Sequence, residues 1–429
     1  MASSALEERQ HRPYDIIVWG ATGFTGQYVA EYLLENGPKH LHYALGGRNR
    51  SKLEKVCSEL AERFPEASKL PLVVADSGDQ ASLDAMVQQG RVVISTVGPF
   101  IKYGTPLVDA CSRLGTDYVD ITGEYDWVKN MSRRYHEQAK QNRALIVSCC
   151  GFDSIPSDMG TYMLVKYIKQ RYGKETGTVK GSMVKLKGGF SGGTIATAVE
   201  GLTNKPLPAP KPQENSTAAP KPSSASPKPA KTVTKPPSRR FPVYFDNDFG
   251  KWQGLFIMAD TNTAVVRQSG RELEYGNHFN YGETMSYPSF WKSASAFLGL
   301  SMFYVLVQFS PTRSLLLKFL PAPGEGPSRE DIAKGHFTHQ LVAEAVTTDG
   351  ERPLRAYATV IGHKDPGYGE TVMYVAEAAL CLALDRAKLS HQGGVLTPAA
   401  AMGDTLIDRY RQRGGVFEVT SDPFLPSKI

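Results

Sequence analysis

Three glycines lie at three-residue intervals directly after a short apolar run near the start of the chain. Gly20, Gly23 and Gly26 belong to the stretch VWGATGFTG at residues 18–26. Glycines at a strand-to-helix turn let the backbone turn tightly and approach the pyrophosphate of a dinucleotide at the positive helix terminus. The spacing is GxxGxxG rather than GxGxxG, and a purely structural turn is the alternative. The predicted cofactor contacts in this loop are Gly20, Ala21, Thr22, Gly23, Phe24, Thr25 and Gly26.

The second apolar run ends in a sequence that discriminates between nucleotides. Enzymes that prefer NAD usually place Asp or Glu about twenty residues after the glycines, where it holds the ribose 2′-hydroxyl. Here the run ends in GGRNRSK, with Arg48 and no carboxylate between Leu45 and Ser51. Arg48, together with Asn49, Arg50 and Ser51, suits a 2′-phosphate, although Arg50 could instead be an ordinary surface cation. The sequence therefore predicts NADPH rather than NADH.

Two further strand ends should border the same nucleotide, because ligands of open parallel sheets bind beyond the carboxyl ends of the strands. Asp76 ends the run LVVAD and is placed for the adenine side, although it could instead cap the next helix. The turn after RVVIS is expected to border the nicotinamide ribose, and its residues are Thr96, Val97, Gly98 and Pro99.

Three candidate catalytic residues follow later strand ends. Tyr103 in PFIKYG could donate a proton or stack near the nicotinamide, or be a surface aromatic. Glu124 in DITGE and Asp153 in GFDSIPSD follow the fifth and sixth apolar runs. Either carboxylate could orient an amine, or hold a proton if burial raises its pKa. Asp153 could also cap the helix that has Pro156 near its start.

The sequence lacks the motifs of several other enzyme classes. The sequence has no HExxH, no P-loop GK[ST] and no Ser-His-Asp order with a nucleophile elbow, which disfavours metalloenzymes, kinases and hydrolases. The five cysteines are odd in number and show no CxxC spacing, which favours a reducing compartment. Cys149 and Cys150 are interpreted as buried strand residues. The polar N-terminus lacks the apolar region of a secretory signal.

The elements that must position these residues alternate in type between residues 14 and 150. Short apolar runs alternate with helices predicted near 26–34, 51–63, 82–89, 105–114 and 127–142; the runs are DIIVWG, HYALGG, LPLVVAD, RVVISTVG, DYVDI and ALIVSCC. Such runs separated by helices indicate a parallel sheet covered on both faces. We predict an α/β fold whose doubly wound parallel-sheet (Rossmann) domain occupies residues 14–150, after a flexible N-terminus at 1–13.

The pattern changes after residue 150 and predicts a second, α+β domain with a mixed sheet at 151–390. Its segments are longer and alternate, as in TVKGSMVKLKGG, TAVVRQSG, FTHQLVAEAV and RAYATVIGH. At 391–429 we expect a helix capped by Thr397 and ending near Gly414, then a short strand, both packing back on the first domain.

A Pro-rich linker at 203–240 should interrupt the second domain, because its ten prolines and many polar residues leave nothing to bury. The formal net charge of the chain is +6. Six lysines, two arginines and one glutamate give this linker +7, so the remainder of the chain is close to neutral. No stacking-aromatic or zinc pattern accompanies the linker, and we predict no nucleic-acid partner.

An apolar segment at 293–320 also interrupts this domain. Residues 293–312 contain no charged side chain and lie between Lys292 and Arg313. Three interpretations are open: a buried helix, a helix inserted into a membrane or lipid-droplet surface, or a membrane span. Pro311 should break a long helix here.

Four stretches in this order resemble the saccharopine dehydrogenase-like oxidoreductase family, which includes bacterial trans-acting enoyl reductases. They are GATGFTG, GGR, TVGPFIKYGTPLVDACSRLGTDYVDITGE and CCGFDSIPSDMG. The resemblance resumes at GGVLTPAAAMGDTLIDR. It implies a nicotinamide-binding domain followed by a mixed-sheet domain, reduction of C=C or C=N bonds and, in some eukaryotic members, association with lipid droplets. GFDSIPSD resembles the LDPG-type turn of true saccharopine reductases only in part, because Ser154 and Ile155 replace its Pro-Gly pair.

Together these features predict an NADPH-dependent oxidoreductase that reduces a C=C (enoyl) or C=N bond of a hydrophobic lipid- or polyketide-like substrate. One alternative is a saccharopine-type amino-acid or imine dehydrogenase. Another is a lipid-droplet or membrane-associated scaffold with a vestigial nucleotide site. We expect a cytoplasmic location, and both contact with a membrane or lipid-droplet surface and a homodimer are compatible with the sequence.

Overall fold

The computed structural model describes residues 9, 11–189, 199, 242–318, 326–348 and 350–424. The predicted Pro-rich linker at 203–240 lies outside the described residues, as does most of the N-terminus predicted at 1–13. Within the described ranges the chain forms two seven-stranded sheets with helices packed on them. The predicted fold class is confirmed.

Seven parallel strands make the first sheet. Six come from the N-terminal part of the chain: β1 (Tyr14–Trp19), β2 (Tyr43–Gly47), β3 (Leu72–Val74), β4 (Gly90–Ser95), β5 (Asp117–Asp120) and β6 (Leu145–Val147). The seventh, β13 (Gly394–Leu396), comes from near the C-terminus and pairs with β6. The order β13-β6-β5-β4-β1-β2-β3 is that of a Rossmann domain with one added strand.

Five helices connect the first six strands: α1 (Phe24–Asn36), α2 (Arg50–Ala61), α3 (Gln80–Val87), α4 (Phe100–Leu114) and α5 (Tyr125–Gln141). They cover both faces of the sheet, because Ile16 and Val18 of β1 pack into one hydrophobic cluster whereas Ile17 and Trp19 pack into another. The uninterrupted apolar runs of the sequence are thereby explained. All five predicted helices are confirmed, although each begins slightly earlier than predicted.

A second sheet follows, formed by β7 (Thr176–Lys187), β8 (Tyr244–Asp246), β9 (Lys251–Gly254), β10 (Asn280–Tyr287), β11 (His336–Ala345), β12 (Arg355–Gly362) and β14 (Val416–Thr420). Its order is β14-β12-β11-β7-β10-β9-β8. Strands β7 and β10 are parallel, and the other neighbours are antiparallel. Helices α6 (Ile155–Tyr172) and α7 (Ala259–Glu272) pack on this sheet. The prediction of a mixed sheet is confirmed.

One segment assigned to this sheet is a helix instead. TAVVRQSG, at residues 263–270, lies within α7. Its buried side chains include Asn262, Val265, Val266 and Ser269, which have the spacing of one helix face. Eight residues are too few to distinguish that spacing from strand alternation, and the β-branched valines bias the interpretation toward a strand.

A helix buried on all sides joins the first sheet to the C-terminal elements. In α11 (Thr371–Leu384) every residue from Thr371 to Ala383 is buried. It lies against β1, β4 and β5, and it contacts α1 and α12 (Pro398–Gln412). Thr397 caps α12 as predicted, with its side-chain oxygen accepting a hydrogen bond from Ala400 N–H at 3.3 Å. The strand β14 pairs with β12 in the second sheet, whereas β13, from the same C-terminal region, pairs with β6 of the first sheet.

The apolar segment forms two consecutive helices on the second domain. Helix α8 (Phe290–Gln308) is followed directly by α9 (Ser310–Leu317), so the predicted break at Pro311 is confirmed. The interpretation as a buried helix is wrong, since only 11% of the most apolar 18-residue window of α8 is buried. By length and composition α8 could cross a membrane.

A single buried carboxylate holds three helices together. Glu377 of α11 accepts hydrogen bonds from Tyr32 Oη at 2.8 Å, Arg409 Nε at 2.8 Å and Arg413 Nε at 2.7 Å. Its side chain is 1% exposed. Removal of this group would take one hydrogen-bond partner from each of two cations and from a hydroxyl group in a poorly solvated place, although Arg409 would keep its pair with Asp385.

We therefore expect Glu377→Ala to lower the free energy of unfolding by about 3 kcal/mol, within the range for broken buried ion pairs. Chemical denaturation measures it. Glu330→Ala is the matched control, because Glu330 forms an exposed pair with Lys334 within helix α10 (Arg329–Lys334) and should change stability by less than about 0.5 kcal/mol. Equal losses in the two variants would contradict this account of the helix junction.

Candidate functional site

The glycine loop between β1 and α1 is built by close backbone approach. Gly20 has φ +90°, and a Cβ atom there would lie 2.7 Å from Thr96 Oγ1 and Val97 Cγ2. Gly23 donates its N–H to the Gly20 carbonyl at 2.9 Å. A Cβ atom on Gly26 would overlap with that same carbonyl. All three glycines therefore have a steric reason at these positions.

The turn after β4 meets this loop, as predicted. Thr96 N–H donates to the Trp19 carbonyl at 3.0 Å, and Thr96 Oγ1 lies 3.3 Å from the Gly20 carbonyl. Gly98 is exposed, and Val97 and Pro99 are partly exposed. The structure thus brings these two groups of predicted cofactor residues together at the carboxyl edge of the sheet.

The start of α1 is suited to an anion. Its N-cap is Gly23, which offers no side chain to the first backbone N–H groups, and its first turn has no acidic residue. The open N–H groups and the positive end of the helix dipole would both favour a phosphate. Phe24 packs edge-on against Tyr368, with ring centroids 5.1 Å apart. The second domain therefore reaches this loop.

Three polar residues follow β2, and they differ in whether their side chains are already hydrogen-bonded within the protein. Arg48 is exposed and makes no hydrogen bond or ion pair within the described parts of the chain. Asn49 instead caps α2, with its Oδ1 accepting from Lys52 N–H at 3.0 Å. Ser51 is exposed in the first turn of α2. Arg48 is thus a free cation at the strand end where the sequence predicts the 2′-phosphate.

Asp76 has a local role that differs from the alternative considered for it. Its Oδ1 accepts from Gly78 N–H at 2.8 Å, which shapes the turn after β3. The N-cap of α3 is Asp79, whose Oδ1 accepts from Ala81 N–H at 3.0 Å. Asp76 remains exposed beside the end of β2.

Glu124 is fully engaged by the backbone. Its Oε1 accepts from Phe100 N–H at 2.8 Å, and its Oε2 accepts from Ile101 N–H at 2.7 Å. The carboxylate thus caps α4 and lies at the positive end of that helix. This long-range cap explains why α4 begins at Phe100, earlier than predicted. Glu124 positions the turn that contains Pro99 and has no free oxygen for a substrate proton.

Asp153 is the available carboxyl group of the site. It is partly buried after β6, and its carboxylate makes no hydrogen bond within the described ranges. Burial alone raises the pKa of Asp153 to about 6. A Cβ atom on Gly123 would lie 3.7 Å from Asp153 Oδ2, so the loop after β5 borders this carboxyl group. The N-cap of α6 is Ser154, and the capping role considered for Asp153 is not observed.

A second buried carboxylate, that of Asp120, fixes the loops around Asp153. Its Oδ1 accepts from Thr122 N–H and Cys149 N–H, each at 3.0 Å, and Ser148 Oγ donates to Oδ2 at 2.9 Å. Burial raises the pKa of Asp120 to about 6, against the opposing effect of these hydrogen bonds. Asp120 ties the ends of β5 and β6 together and is not exposed. Its residue type alone could not separate this role from a catalytic one.

Contacts from distant parts of the chain complete the site, and sequence reasoning did not find them. Thr371 Oγ1, at the start of α11, accepts from Phe152 N–H at 3.0 Å. Thr261 Oγ1 donates to the Gly123 carbonyl at 3.1 Å. Met258 Cε would lie 3.0 Å from a Cβ atom on Gly123. No local motif marks these residues, because their importance comes from tertiary contacts alone.

Tyr103 lies on α4 rather than in a loop, and 43% of it is exposed.

Cys149 and Cys150 are buried, as predicted, and burial raises the pKa of both thiols well above the usual value. In the described part of the chain, no group of three or more His, Cys, Asp or Glu side chains could hold a metal ion.

Comparisons with known proteins agree with this architecture. Residues 16–147 match the saccharopine dehydrogenase NADP binding domain. A Mycobacterium tuberculosis protein that is named as a trans-acting enoyl reductase is 38% identical over 95% of this chain and 98% of its own length. The trans-acting enoyl reductase of Mycobacterium leprae is 36% identical with the same coverage. The chain belongs to the saccharopine dehydrogenase-like oxidoreductase family. It is an NADP-dependent reductase, and NADPH is its cofactor.

A solved structure shares the fold of this saccharopine dehydrogenase-like reductase. The apo saccharopine dehydrogenase (L-Glu forming) of Saccharomyces cerevisiae aligns over 94% of this chain and 99% of its own, with a TM-score of 0.55 and 13% identity. Identity this low supports the fold alone.

The residues present fit NADPH in this saccharopine dehydrogenase-like protein. The loop at 20–26 turns tightly through three glycines, α1 has no side-chain cap at its N-terminus, and Arg48 makes no ion pair with any described residue. These features would respectively admit the pyrophosphate, hold its charge and neutralise a 2′-phosphate.

Gly26→Ala tests the loop. The new methyl group would overlap with the Gly20 carbonyl and displace it, so we expect the Kd for NADPH to rise at least about tenfold. Gly282→Ala is the control, because no atom lies within 4 Å of a Cβ atom there. Fluorescence titration measures both affinities, and circular dichroism checks folding. A folded Gly26→Ala protein with unchanged affinity would show that the loop does not hold the cofactor.

Proposed function

We propose that this reductase saturates a carbon–carbon double bond conjugated to a carbonyl group in a hydrophobic, acyl- or polyketide-like substrate. Asp153 carries the assignment, because its partly buried carboxyl group makes no hydrogen bond or ion pair with any described residue, and burial raises its pKa to about 6. A substrate with several carboxylates would need cations around it, and a cation near Asp153 would lower that pKa. The printed names of the relatives, trans-acting enoyl reductases, support the same reaction.

NADPH, when bound, would supply the hydride for the β-carbon of the enoyl group, and the π electrons of the substrate would move toward its carbonyl group as an enolate. The protonated carboxyl group of Asp153 then donates its proton to the α-carbon, which leaves a saturated product and an aspartate. Because Asp153 is partly exposed, it regains a proton from solvent. Glu124 and Asp120 position the neighbouring loops and exchange no proton with the substrate.

Reduction of an imine is the second candidate, because the family model that matches residues 16–147 is named for saccharopine dehydrogenase. A panel of substrates separates the two. We expect NADPH oxidation with α,β-unsaturated acyl thioesters, at a rate that increases with chain length, and none with mixtures of an amino acid and an aldehyde. Turnover of the amino-acid mixtures alone would overturn the enoyl assignment and leave the reductase assignment intact.

The proton donor gives a pH signature. A general acid must be protonated, and the pKa of Asp153 is about 6, so kcat/KM should be highest below pH 6 and fall about tenfold per unit above it. Asp153→Asn should reduce kcat/KM by about 10²- to 10⁴-fold and abolish this dependence, with NADPH affinity unchanged. Asp126→Asn, which alters an exposed carboxylate in the first turn of α5, is the control. A pH profile that persists in Asp153→Asn would assign the proton to another group.

Arg48 should determine the choice of nucleotide. Loss of a charge-assisted contact with the 2′-phosphate should raise the Kd for NADPH about 10- to 100-fold in Arg48→Gln, while the Kd for NADH stays the same. Arg50→Gln is the matched control, since Arg50 pairs with Glu54 on α2. If Arg48→Gln raised the Kd for NADPH and the Kd for NADH by the same factor, another residue would make the contact with the 2′-phosphate.

A further inference from the structure

Helix α8 exposes a continuous apolar stripe. Within this helix only Ser293 and Val307 are buried. At 100° per residue, five large apolar side chains fall within about 60° of arc on one face. Each of them is between 52% and 78% exposed; they are Trp291, Leu298, Met302, Val305 and the C-cap residue Phe309. A continuous patch of this kind marks a binding surface rather than ordinary surface variation.

The first turn of α8 is fixed firmly to the second sheet. Ser293 Oγ donates to the Gln253 carbonyl at 3.0 Å. A Cβ atom on Gly254 would lie 2.6 Å from Ser293 Oγ, so β9 and the helix approach closely there. The rings of Phe290 and Trp252 pack edge-on at 5.2 Å. The first turn of α8 therefore has a defined contact with β9, and the apolar side chains of the stripe point away from that contact.

The charges around the stripe all have one sign. Residues 290–318 include Lys292, Arg313 and Lys318 and no Asp or Glu. One exposed aromatic side chain, Trp291, lies at the start of α8 on the stripe itself, whereas Tyr304 projects from the opposite side of the helix. An apolar face that carries an aromatic ring and is flanked by basic side chains is typical of helices that lie in the interface of an anionic membrane.

The length of the free part argues against a membrane span. Ser293 is held against β9 and Val307 is buried near the other end of the helix, so the exposed part lies within residues 294–308. Fifteen helical residues cover about 22 Å, which is less than the hydrocarbon thickness of about 30 Å. The chain then bends at Phe309 into α9. A helix lying along the surface needs no such length.

We propose that α8 docks this enzyme on the surface of an anionic phospholipid bilayer. The stripe inserts among the acyl chains at the interface, and Lys292, Arg313 and Lys318 lie near the headgroup phosphates. This inference does not depend on the substrate, although a hydrophobic substrate would be concentrated in the same place.

Flotation of the full-length protein with lipid vesicles tests the proposal. We expect binding to vesicles of phosphatidylcholine with phosphatidylserine, weaker binding to phosphatidylcholine alone, and weaker binding in high salt. The double variant Leu298→Glu with Met302→Glu should lower the partition coefficient by about tenfold or more. The matched control is Leu186→Glu with Leu384→Glu, which alters two exposed leucines elsewhere and should bind normally. NADPH binding by each variant checks that it is folded.

A second measurement uses the unaltered protein, in case the stripe variant does not fold. Lipids brominated in their acyl chains should quench part of the tryptophan fluorescence, and Trp291→Phe should remove the quenched part. The proposal is overturned if the protein does not float with anionic vesicles or if the control loses binding equally. It is also overturned if the stripe variant only dissociates a dimer, which would assign the face to a second copy. Resistance to extraction by alkaline carbonate would indicate a span instead.

Discussion

The close approach of Gly26 to the Gly20 carbonyl is the constraint on which the site depends. Any side chain at Gly26 would overlap with that carbonyl, which also accepts a hydrogen bond from Gly23 N–H. The contact sets where α1 begins and leaves the first N–H groups of that helix open. The turn at Thr96 then packs on Gly20, so the first and fourth strands end in one continuous cradle. A negatively charged ligand has a complementary place there before any charged side chain is considered.

The carboxylates of the site divide into those that build it and one that is available for chemistry. Glu124 caps α4, and Asp120 joins the ends of β5 and β6. The oxygens of both carboxylates accept hydrogen bonds from backbone N–H or hydroxyl groups. Asp153 accepts no hydrogen bond within the described residues, and burial raises its pKa to about 6. A carboxyl group without donors in a partly buried place favours its protonated form. The proposed proton transfer rests on this contrast.

Sequence predicted the features that depend on local pattern. The parallel sheet followed from apolar runs such as DIIVWG, and the tight turn at 20–26 followed from the glycine spacing. The contacts of that turn and of Arg48 with NADPH stay predictions. Features that depend on tertiary contacts were not accessible. Nothing near Glu124 reveals that its partners are two N–H groups of another helix, and the short alternation of TAVVRQSG concealed α7. The exposure of α8 could not be predicted either, because it depends on how much of the helix packs against the second sheet.

The central claim is that the glycine loop, the turn at Thr96 and Arg48 hold one NADP molecule with its nicotinamide end toward Asp153. A crystal structure of the full-length protein with NADP bound tests it most directly. The account predicts the pyrophosphate at the start of α1, the 2′-phosphate at Arg48 and the nicotinamide ring beside the Asp153 carboxyl group. A nucleotide bound elsewhere, or a ring separated from Asp153 by the protein chain, would contradict it.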